Sequence, residues 1–189
     1  MTYREDSEIQ YLYGWLSLSE AEGNSSSSNK QSSDHWVEPH PTSPLLAKKI
    51  RNLGRRKPVA WLVSNCKTDS HRELYVKELQ KHVPVDIFGK CGKPLNCSQG
   101  RDECFVEIAS SYQFYLSFEN SLCKEYATEK LFRALASDLV PVVMGGANYS
   151  NIVPPKSIIN VQDFPSPEVL GKELMRLVEV RSVFYDKVS

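Results

Sequence analysis

The sequence predicts an α/β fold in which helices cover both faces of a parallel sheet. From residue 58 onward, short apolar segments typical of buried strands alternate with segments of helical pattern. The connections between them are short, which favours right-handed crossovers and therefore parallel strands. The chain has 189 residues, of which 41% are hydrophobic and 24% charged, as expected for one folded domain of ordinary size.

The charges of the chain balance, with 23 Lys and Arg residues against 23 Asp and Glu residues. No overall positive field therefore exists to attract nucleic acid or an anionic membrane, and any anionic ligand must be bound by a local site. The longest apolar run, Leu139–Met144, is far shorter than the roughly 20 residues that span a bilayer. The sequence as written predicts no transmembrane helix.

Two strands flank the first predicted helix. The apolar run Val59–Val63 predicts a buried strand, and Val85–Gly89 predicts a second. Between them, Ser70 is followed three residues later by Glu73, a capping box that predicts a helix from Ser70 to about residue 81. The following segment, Lys90–Ser111, shows no clear period and is predicted to be irregular.

Cysteines are concentrated in this irregular segment. No Cys-x-x-Cys spacing is present, so the sequence favours disulfides or free thiols over a zinc site. The segment is predicted to be tied by a disulfide among Cys91, Cys97 and Cys104. Because the count is odd, at least one thiol is unpaired or bonded outside the chain. The five cysteines are Cys66, Cys91, Cys97, Cys104 and Cys123.

A third strand and a second helix follow. Alternate side chains of Phe114–Phe118 are large and apolar and fall on one face at a period of two, as in a strand. Thr128 is a suitable N-cap for a helix over Glu129–Ser137, in which Leu131 and Leu135 share a face. This repeat of strand and helix supports the α/β prediction.

The last predicted elements are two strands and one helix. The run Leu139–Met144 ends at Gly145–Gly146 and is typical of a strand buried on both sides. A short strand is predicted over Ser157–Val161. Ser166–Pro167 supplies the N-cap and first residue of a final helix. Its inward side chains are predicted to be Leu170, Leu174, Leu177 and Val178.

In open parallel sheets, ligands bind outside the carboxyl ends of the strands. After the first strand, Arg72 falls in the first turn of a helix, where the helix dipole disfavours a cation unless an anion lies between them. Arg72 therefore indicates a phosphate site at this helix start. The alternative is a surface arginine paired with Glu73 or Glu78.

The third strand is followed by a second helix start that also carries a cation, Lys130. Two such helix starts at one edge of a sheet have the geometry needed to hold a diphosphate. Nearby, Glu129 could accept hydrogen bonds from ribose hydroxyls, and Tyr126 could stack on a base or sugar. The alternative places Tyr126 in the core and makes Glu129 and Lys130 an ordinary first turn.

The sequence contains neither Gly-x-Gly-x-x-Gly nor a P-loop, which excludes those two phosphate-binding motifs. It also contains no Asp-x-Asp pair. A metal-bridged diphosphate is thus disfavoured, and protein cations are expected to neutralise the ligand. Gly145–Gly146 fits either a close approach of the backbone to a ligand or a turn.

Two segments, Phe114-Tyr-Leu-Ser-Phe-Glu-Asn120 and Tyr126-Ala-Thr-Glu-Lys130, resemble the donor-binding signature of the α1,3/4-fucosyltransferases. The resemblance covers nearly all of residues 58 to about 175, and the cysteine-rich pattern is similar to the animal enzymes that fucosylate the core of N-glycans. Supporting segments are Val59-Ala-Trp-Leu-Val-Ser-Asn65 with Arg72, Val85-Asp-Ile-Phe-Gly-Lys-Cys-Gly92, Val140-Pro-Val-Val-Met-Gly-Gly146 and Ile159-Asn-Val-Gln-Asp-Phe-Pro-Ser-Pro167.

The resemblance implies a Rossmann-like domain, the C-terminal half of a glycosyltransferase B-type (GT-B) fold, that binds GDP-fucose. Arg72 and Lys130 would neutralise the diphosphate, and Asn120, Tyr126 and Glu129 would contact fucose, guanosine or ribose. The implied reaction is an inverting transfer of L-fucose to GlcNAc of N-glycans in α1,3 linkage. No cofactor is required in this reaction, and stimulation by a divalent metal is left open.

The resemblance also implies a domain organisation. Residues 1–16 would end the acceptor domain, 17–57 would form a polar, flexible insertion and basic linker, and 58–189 would form the GDP-fucose-binding domain. The general base and a membrane anchor are expected upstream, so the chain is expected to be the donor half of an enzyme and inactive alone. The alternative is a non-catalytic nucleotide-binding or interaction module.

The same resemblance implies residence in the Golgi lumen, as a type II membrane protein when full-length. Three Asn-x-Ser tripeptides, at Asn24, Asn96 and Asn148, are possible glycosylation sites and agree with the secretory pathway.

Overall fold

The structure, a computed structural model, describes residues 56–95, 101–137 and 139–186. Residues 1–16 and nearly all of 17–57 lie outside these ranges, as do Cys97 and the tripeptides at Asn24 and Asn96. The strands are β1 (Lys57–Leu62), β2 (Val85–Phe88), β3 (Tyr112–Phe118), β4 (Val140–Met144) and β5 (Ile159–Asn160). The helices are α1 (Arg72–Leu79), α2 (Arg101–Ser111), α3 (Glu129–Ala136) and α4 (Pro167–Asp186).

The five strands form one parallel sheet in the order β2-β1-β3-β4-β5. The predicted α/β class and parallel sheet are therefore confirmed. Helices α1 and α4 contact each other, and α2 contacts α3. The side chains of each helix pair pack on a different face of the sheet. This is a doubly wound sheet, whose strand order reverses between β1 and β3.

Two apolar cores follow from the alternation of side chains along the strands. On the face of α1 and α4, the predicted row of Phe114, Leu116 and Phe118 is confirmed and is almost fully buried. On the face of α2 and α3, Ala60 and Tyr115 pack against helix side chains. All seven residues of β3 are buried, as expected for the central strand of a sheet covered on both faces.

The predicted start of the last helix is confirmed. Helix α4 begins at Pro167, and the Ser166 hydroxyl accepts a hydrogen bond from the Val169 N–H at 3.3 Å. The predicted inward side chains lie in or against the core, with Leu170 and Leu174 fully buried and Leu177 and Val178 partly buried.

The predicted capping box of Ser70 and Glu73 is wrong, because the N-cap is His71 and its side chain makes no capping hydrogen bond. Helix α1 begins at Arg72, and the Glu73 carboxylate accepts hydrogen bonds from the N–H and hydroxyl of Thr68, at 3.4 and 3.0 Å. The Ser70 hydroxyl donates instead to the Glu119 carbonyl at 2.7 Å. Ser70 is therefore used to join the turn before α1 to the end of β3.

The segment Lys90–Ser111 is not irregular throughout, because helix α2 occupies Arg101–Ser111. Cys91 is bonded to Cys66 rather than to another cysteine of this segment. Cys104 is disulfide-bonded as well. Among the described residues, Cys123 is the free cysteine, and its side chain is exposed.

Candidate functional site

Two helices begin at the carboxyl edge of the sheet, on either side of the point where the strand order reverses. The chain runs from β1 into α1 and from β3 into α3, and β1 and β3 are neighbours. In doubly wound sheets a crevice forms at this reversal, outside the carboxyl ends of the strands. The free N–H groups and positive dipole end of each helix make the same edge suitable for an anion.

Arg72 begins α1 and is buried, with 2% of its surface exposed. Its guanidinium donates from Nη1 to the Phe118 carbonyl and from Nη2 to the Asn65 carbonyl, the latter at 3.1 Å. It also lies 5.4 Å from the centre of the Trp61 ring. Burial lowers the pKa of Arg72, while the nearby Glu119 carboxylate acts in the opposite direction. The alternative of a surface arginine is therefore wrong.

The Arg72 guanidinium also joins the loop after β1 to the last residue of β3. Its Nε is buried and has no hydrogen-bond partner among the described residues. A direct contact between Arg72 and a phosphate stays a prediction.

Lys130 lies in the first turn of α3, with 19% of its side chain exposed. Its ammonium donates to Glu119 Oε2 at 2.9 Å and to Thr128 Oγ1 at 2.6 Å. The Thr128 hydroxyl lies 2.9 Å from both oxygens of Glu119, and its N–H donates to Glu119 Oε1 at 2.8 Å. Thr128 is the N-cap of α3 as predicted, but its side chain serves the Glu119 carboxylate rather than an N–H of the helix.

The other three predicted site residues are partly buried and lie along the chain from the end of β3 to the first residue of α3. The Asn120 carbonyl accepts from the Ser70 N–H at 3.1 Å, and the Tyr126 N–H donates to the Cys123 carbonyl at 3.2 Å. Glu129 is the first residue of α3, and its carboxylate is 3.9 Å from the Lys130 ammonium. Tyr126 is near enough to Arg72 to contribute to the pKa of its guanidinium.

The structure thus brings Arg72, Asn120 and Lys130 together around the end of β3. Arg72 binds the carbonyl of Phe118, Lys130 binds the side chain of Glu119, and Asn120 follows directly. The two cations are on the same edge of the sheet, as the sequence predicted.

Both glycines after β4 are required by contacts within the protein. A Cβ at Gly145 would collide with the Tyr149 hydroxyl and lie 3.3 Å from Glu119 Cγ. A Cβ at Gly146 would collide with the Cys123 carbonyl. Close packing against Tyr149 and against the loop after β3 therefore explains these glycines without a ligand.

Sequence reasoning missed Glu119, the buried carboxylate that the Lys130 ammonium contacts. One signal was available, because Glu119 directly follows the predicted strand Phe114–Phe118, whose large apolar side chains favour burial. A carboxylate at such a position must find hydrogen-bond donors when it is buried.

In the described parts of the chain, no group of three or more His, Cys, Asp or Glu side chains is placed to hold a metal ion. No helix within those ranges is both long and apolar enough to cross a membrane. A cavity of about 200 Å³ lies beside the Cys66–Cys91 disulfide, with Trp61 and Glu73 in its wall, and none of the five predicted site residues lines it.

The sheet order and the two helix starts at its reversal define a doubly wound, Rossmann-like α/β domain. The chain belongs to glycosyltransferase family 10, the fucosyltransferases, since the C-terminal model of that family matches residues 52–186. The resemblance noted in the sequence is therefore confirmed.

Similar curated proteins carry the same family function in their names. The chain is 42% identical over 180 residues to alpha-(1,3)-fucosyltransferase C of Drosophila melanogaster, covering 94% of this chain and 41% of that protein. It is 41% identical over 182 residues to the 3-galactosyl-N-acetylglucosaminide 4-alpha-L-fucosyltransferase of Homo sapiens, covering 94% of this chain and 42% of the human protein. The chain thus spans about two fifths of the length of these relatives.

The fold is similar to that of a solved α1,3-fucosyltransferase crystallised with GDP-fucose. The TM-score is 0.58 at 23% sequence identity, and the match covers 75% of this chain and 41% of the other. This likeness confirms the predicted fold, one half of the GT-B type.

Proposed function

We propose that this chain supplies the GDP-fucose-binding domain of an α1,3-fucosyltransferase, which transfers L-fucose to GlcNAc of N-glycans with inversion at the anomeric carbon. Membership of the fucosyltransferase family supports the transferase class, and the names of the relatives support the sugar and the linkage. The observation that carries the donor site is the meeting of two helix starts and Lys130 at the reversal of the strand order.

Lys130 is the residue best placed to neutralise the diphosphate. An ammonium has three N–H donors, and two of those on Lys130 go to Glu119 and Thr128. The third can donate to a phosphate oxygen, next to the free N–H groups at the start of α3. Charge-assisted hydrogen bonds of this kind stabilise the leaving diphosphate as negative charge develops on it.

Arg72 contributes to donor binding mainly through its positive charge and through the hydrogen bonds that stabilise the carboxyl edge of the sheet. Its positive charge lies at the start of α1, so it raises the electrostatic potential felt by a diphosphate bound between the helices. Its hydrogen bonds to Phe118 and Asn65 join the end of β3 to the loop after β1. A direct phosphate contact would use donors that those carbonyls leave available.

Asn120, Tyr126 and Glu129 are proposed to contact the fucose, ribose or guanosine. They lie along the loop between β3 and the start of α3, and each is partly exposed. The Glu129 carboxylate, with 35% of its side chain exposed, is suited to accept hydrogen bonds from ribose hydroxyls.

In the proposed reaction an acceptor hydroxyl attacks the anomeric carbon of GDP-fucose, the glycosidic bond to the diphosphate breaks, and GDP leaves. A general base takes the proton of the hydroxyl. We expect this base in the first domain of the whole enzyme, so residues 1–189 alone should bind GDP without measurable transfer. No resident metal is needed, although a divalent cation can stimulate by screening the diphosphate. The whole enzyme is proposed to act in the Golgi lumen as a type II membrane protein.

Titration calorimetry of the 189-residue chain with GDP, GDP-fucose and ADP tests the proposal. We expect GDP and GDP-fucose to bind and ADP to bind more weakly. Lys130→Met should weaken GDP binding, whereas Lys172→Met should not, because Lys172 lies on α4 and pairs with Glu168. Equal binding of all three nucleotides, or binding of none, would overturn the proposal.

A further inference from the structure

Glu119 connects three parts of the carboxyl edge, although it is almost completely buried. Only 1% of the residue is exposed. Its N–H donates to the Met144 carbonyl at 2.9 Å, and its carbonyl accepts from the Ser70 hydroxyl at 2.7 Å. Its carboxylate accepts from Thr128 and Lys130 at the start of α3. One residue thus links β3 to β4, to the turn before α1, and to α3.

The carboxylate of Glu119 satisfies the conditions that a buried charge requires. A buried carboxylate is strongly unfavourable unless it is paired and hydrogen-bonded. Here one oxygen accepts the Thr128 N–H at 2.8 Å and the other accepts the Lys130 ammonium at 2.9 Å. The Thr128 hydroxyl completes the cluster, since it accepts from Lys130 and donates to the carboxylate.

This cluster restricts where the Lys130 ammonium can lie. Two of its donors point to fixed acceptors, one of which is held by the central strand and the other by the N-cap of α3. The carboxylate of Glu129, at 3.9 Å, is beyond hydrogen-bond distance. A lysine side chain otherwise loses considerable rotamer freedom when it binds a ligand, and fixing it beforehand reduces that loss.

We propose that Glu119 is a positioning residue for donor binding: through Thr128 and Lys130 it fixes the ammonium that meets the diphosphate. This inference rests on the proposed function. Because Glu119 offsets part of the positive charge of Lys130, the ammonium neutralises the diphosphate mainly through one oriented, charge-assisted hydrogen bond. The carboxylate therefore improves binding by orientation, even though its charge alone would repel a diphosphate.

The test is a double-mutant cycle on GDP binding, measured by calorimetry on the full chain. We expect Glu119→Gln to weaken GDP binding about tenfold, the range for one charge-assisted hydrogen bond. In a Lys130→Met background the same substitution should cause no further weakening, because its effect passes through Lys130. A merely structural role would weaken binding equally in both backgrounds and would overturn the inference.

Asp86→Asn is the matched control. Asp86 also bonds two lysines, Lys57 and Lys93, but it lies on the edge strand β2, which β1 separates from β3. It should lower stability in urea unfolding without changing the dissociation constant for GDP. If Glu119→Gln does not fold, Thr128→Val serves instead, since it removes the hydroxyl between the two charged groups and keeps both charges. It should weaken GDP binding in the wild-type background and not in Lys130→Met.

The double-mutant cycle distinguishes a failure of the proposed function from a failure of the inference about Glu119. If the unmodified chain binds no GDP, the proposed function is wrong and the inference falls with it. If the unmodified chain binds GDP and Glu119→Gln binds it equally well, the inference alone is wrong.

Discussion

The guanidinium of Arg72, the first residue of α1, donates a hydrogen bond to the carbonyl of Phe118, the last residue of β3. A second hydrogen bond runs from the same group to the Asn65 carbonyl in the loop after β1. Because β1 and β3 are neighbours at the reversal of the strand order, one buried cation joins the two sides of that reversal. The arginine that suggests a phosphate site in the sequence is therefore also part of the framework of that site.

Replacing Arg72 by Met should destabilise the fold substantially. The substitution leaves the buried Phe118 carbonyl without this donor, whereas water can replace the donor at the exposed Asn65. An unsatisfied buried polar group costs roughly 1–3 kcal/mol, and we expect a loss of about that size in the free energy of unfolding, measured by urea denaturation. The stability of Arg72→Lys should lie between those of the wild type and Arg72→Met. A lysine keeps the positive charge, but its ammonium lacks the planar, forked donors with which arginine reaches both carbonyls.

Arg176→Met provides the control for Arg72. Its side chain is 58% exposed and pairs with Glu173 on the surface of α4. Exposed pairs of this kind contribute little, so stability should change by no more than about 0.5 kcal/mol. Equal losses in the two variants would contradict the structural role of Arg72.

Asp86 gives the chain a specific dependence of stability on pH. Hydrogen bonds from Tyr112, Lys57 and Lys93 lower its pKa from 3.8 to about 2 in the folded state. The folded state therefore binds fewer protons than the unfolded state between these values. The stabilisation is present above about pH 4 and is lost as the pH falls towards 2.

Urea denaturation from pH 2.5 to 6 checks this prediction when the chain is compared with Asp86→Asn. The difference between the two should be about 1 kcal/mol at pH 6, after allowance for the partial exposure of Asp86. It should shrink as the pH falls. A difference that stays constant over this range would show that the Asp86 charge is not responsible.

The disulfide between Cys66 and Cys91 should contribute strongly to stability. It closes a loop of 25 residues that contains α1 and β2, and loops of about that length give roughly 2–4 kcal/mol. Cys66→Ser combined with Cys91→Ser should lower the midpoint of thermal unfolding by several degrees. Cys123→Ser, at an exposed free thiol, should not. A similar midpoint in the double variant and the wild type would contradict this assignment.

The sheet could be predicted from the sequence because each buried strand is indicated by the apolar residues of its own short segment. β3 is buried on both faces, and its alternate Phe and Leu side chains already indicate a strand. Helix α2 was missed although Phe105 and Ala109 are four residues apart and both are buried. The reason is that α2 runs directly into β3 at Ser111–Tyr112, without a turn signal to separate a period of 3.6 from a period of two.

The charged cluster could not be predicted in the same way. Thr128 has the right side chain for an N-cap and does begin α3, yet its hydroxyl contacts Glu119, nine positions earlier. Ser70 likewise bonds Glu119 across 49 positions. Local patterns specify where helices begin, whereas the partners of buried polar groups depend on which strands become neighbours.

Gly145→Ala should destabilise the chain, and the additional change Tyr149→Phe should largely restore it. A Cβ at Gly145 would collide with the Tyr149 hydroxyl, a steric conflict that typically costs about 1–3 kcal/mol in a packed interior. That hydroxyl is buried without a hydrogen-bond partner in the described parts of the chain, so Tyr149→Phe alone should be neutral or slightly stabilising. Urea denaturation of the two single variants and the double variant gives the coupling energy.

Because Glu119 Cγ would lie only 3.3 Å from the new Cβ, some loss of GDP affinity should remain in the double variant. Additive effects of the two substitutions on stability would show that the conflict lies elsewhere than at the hydroxyl.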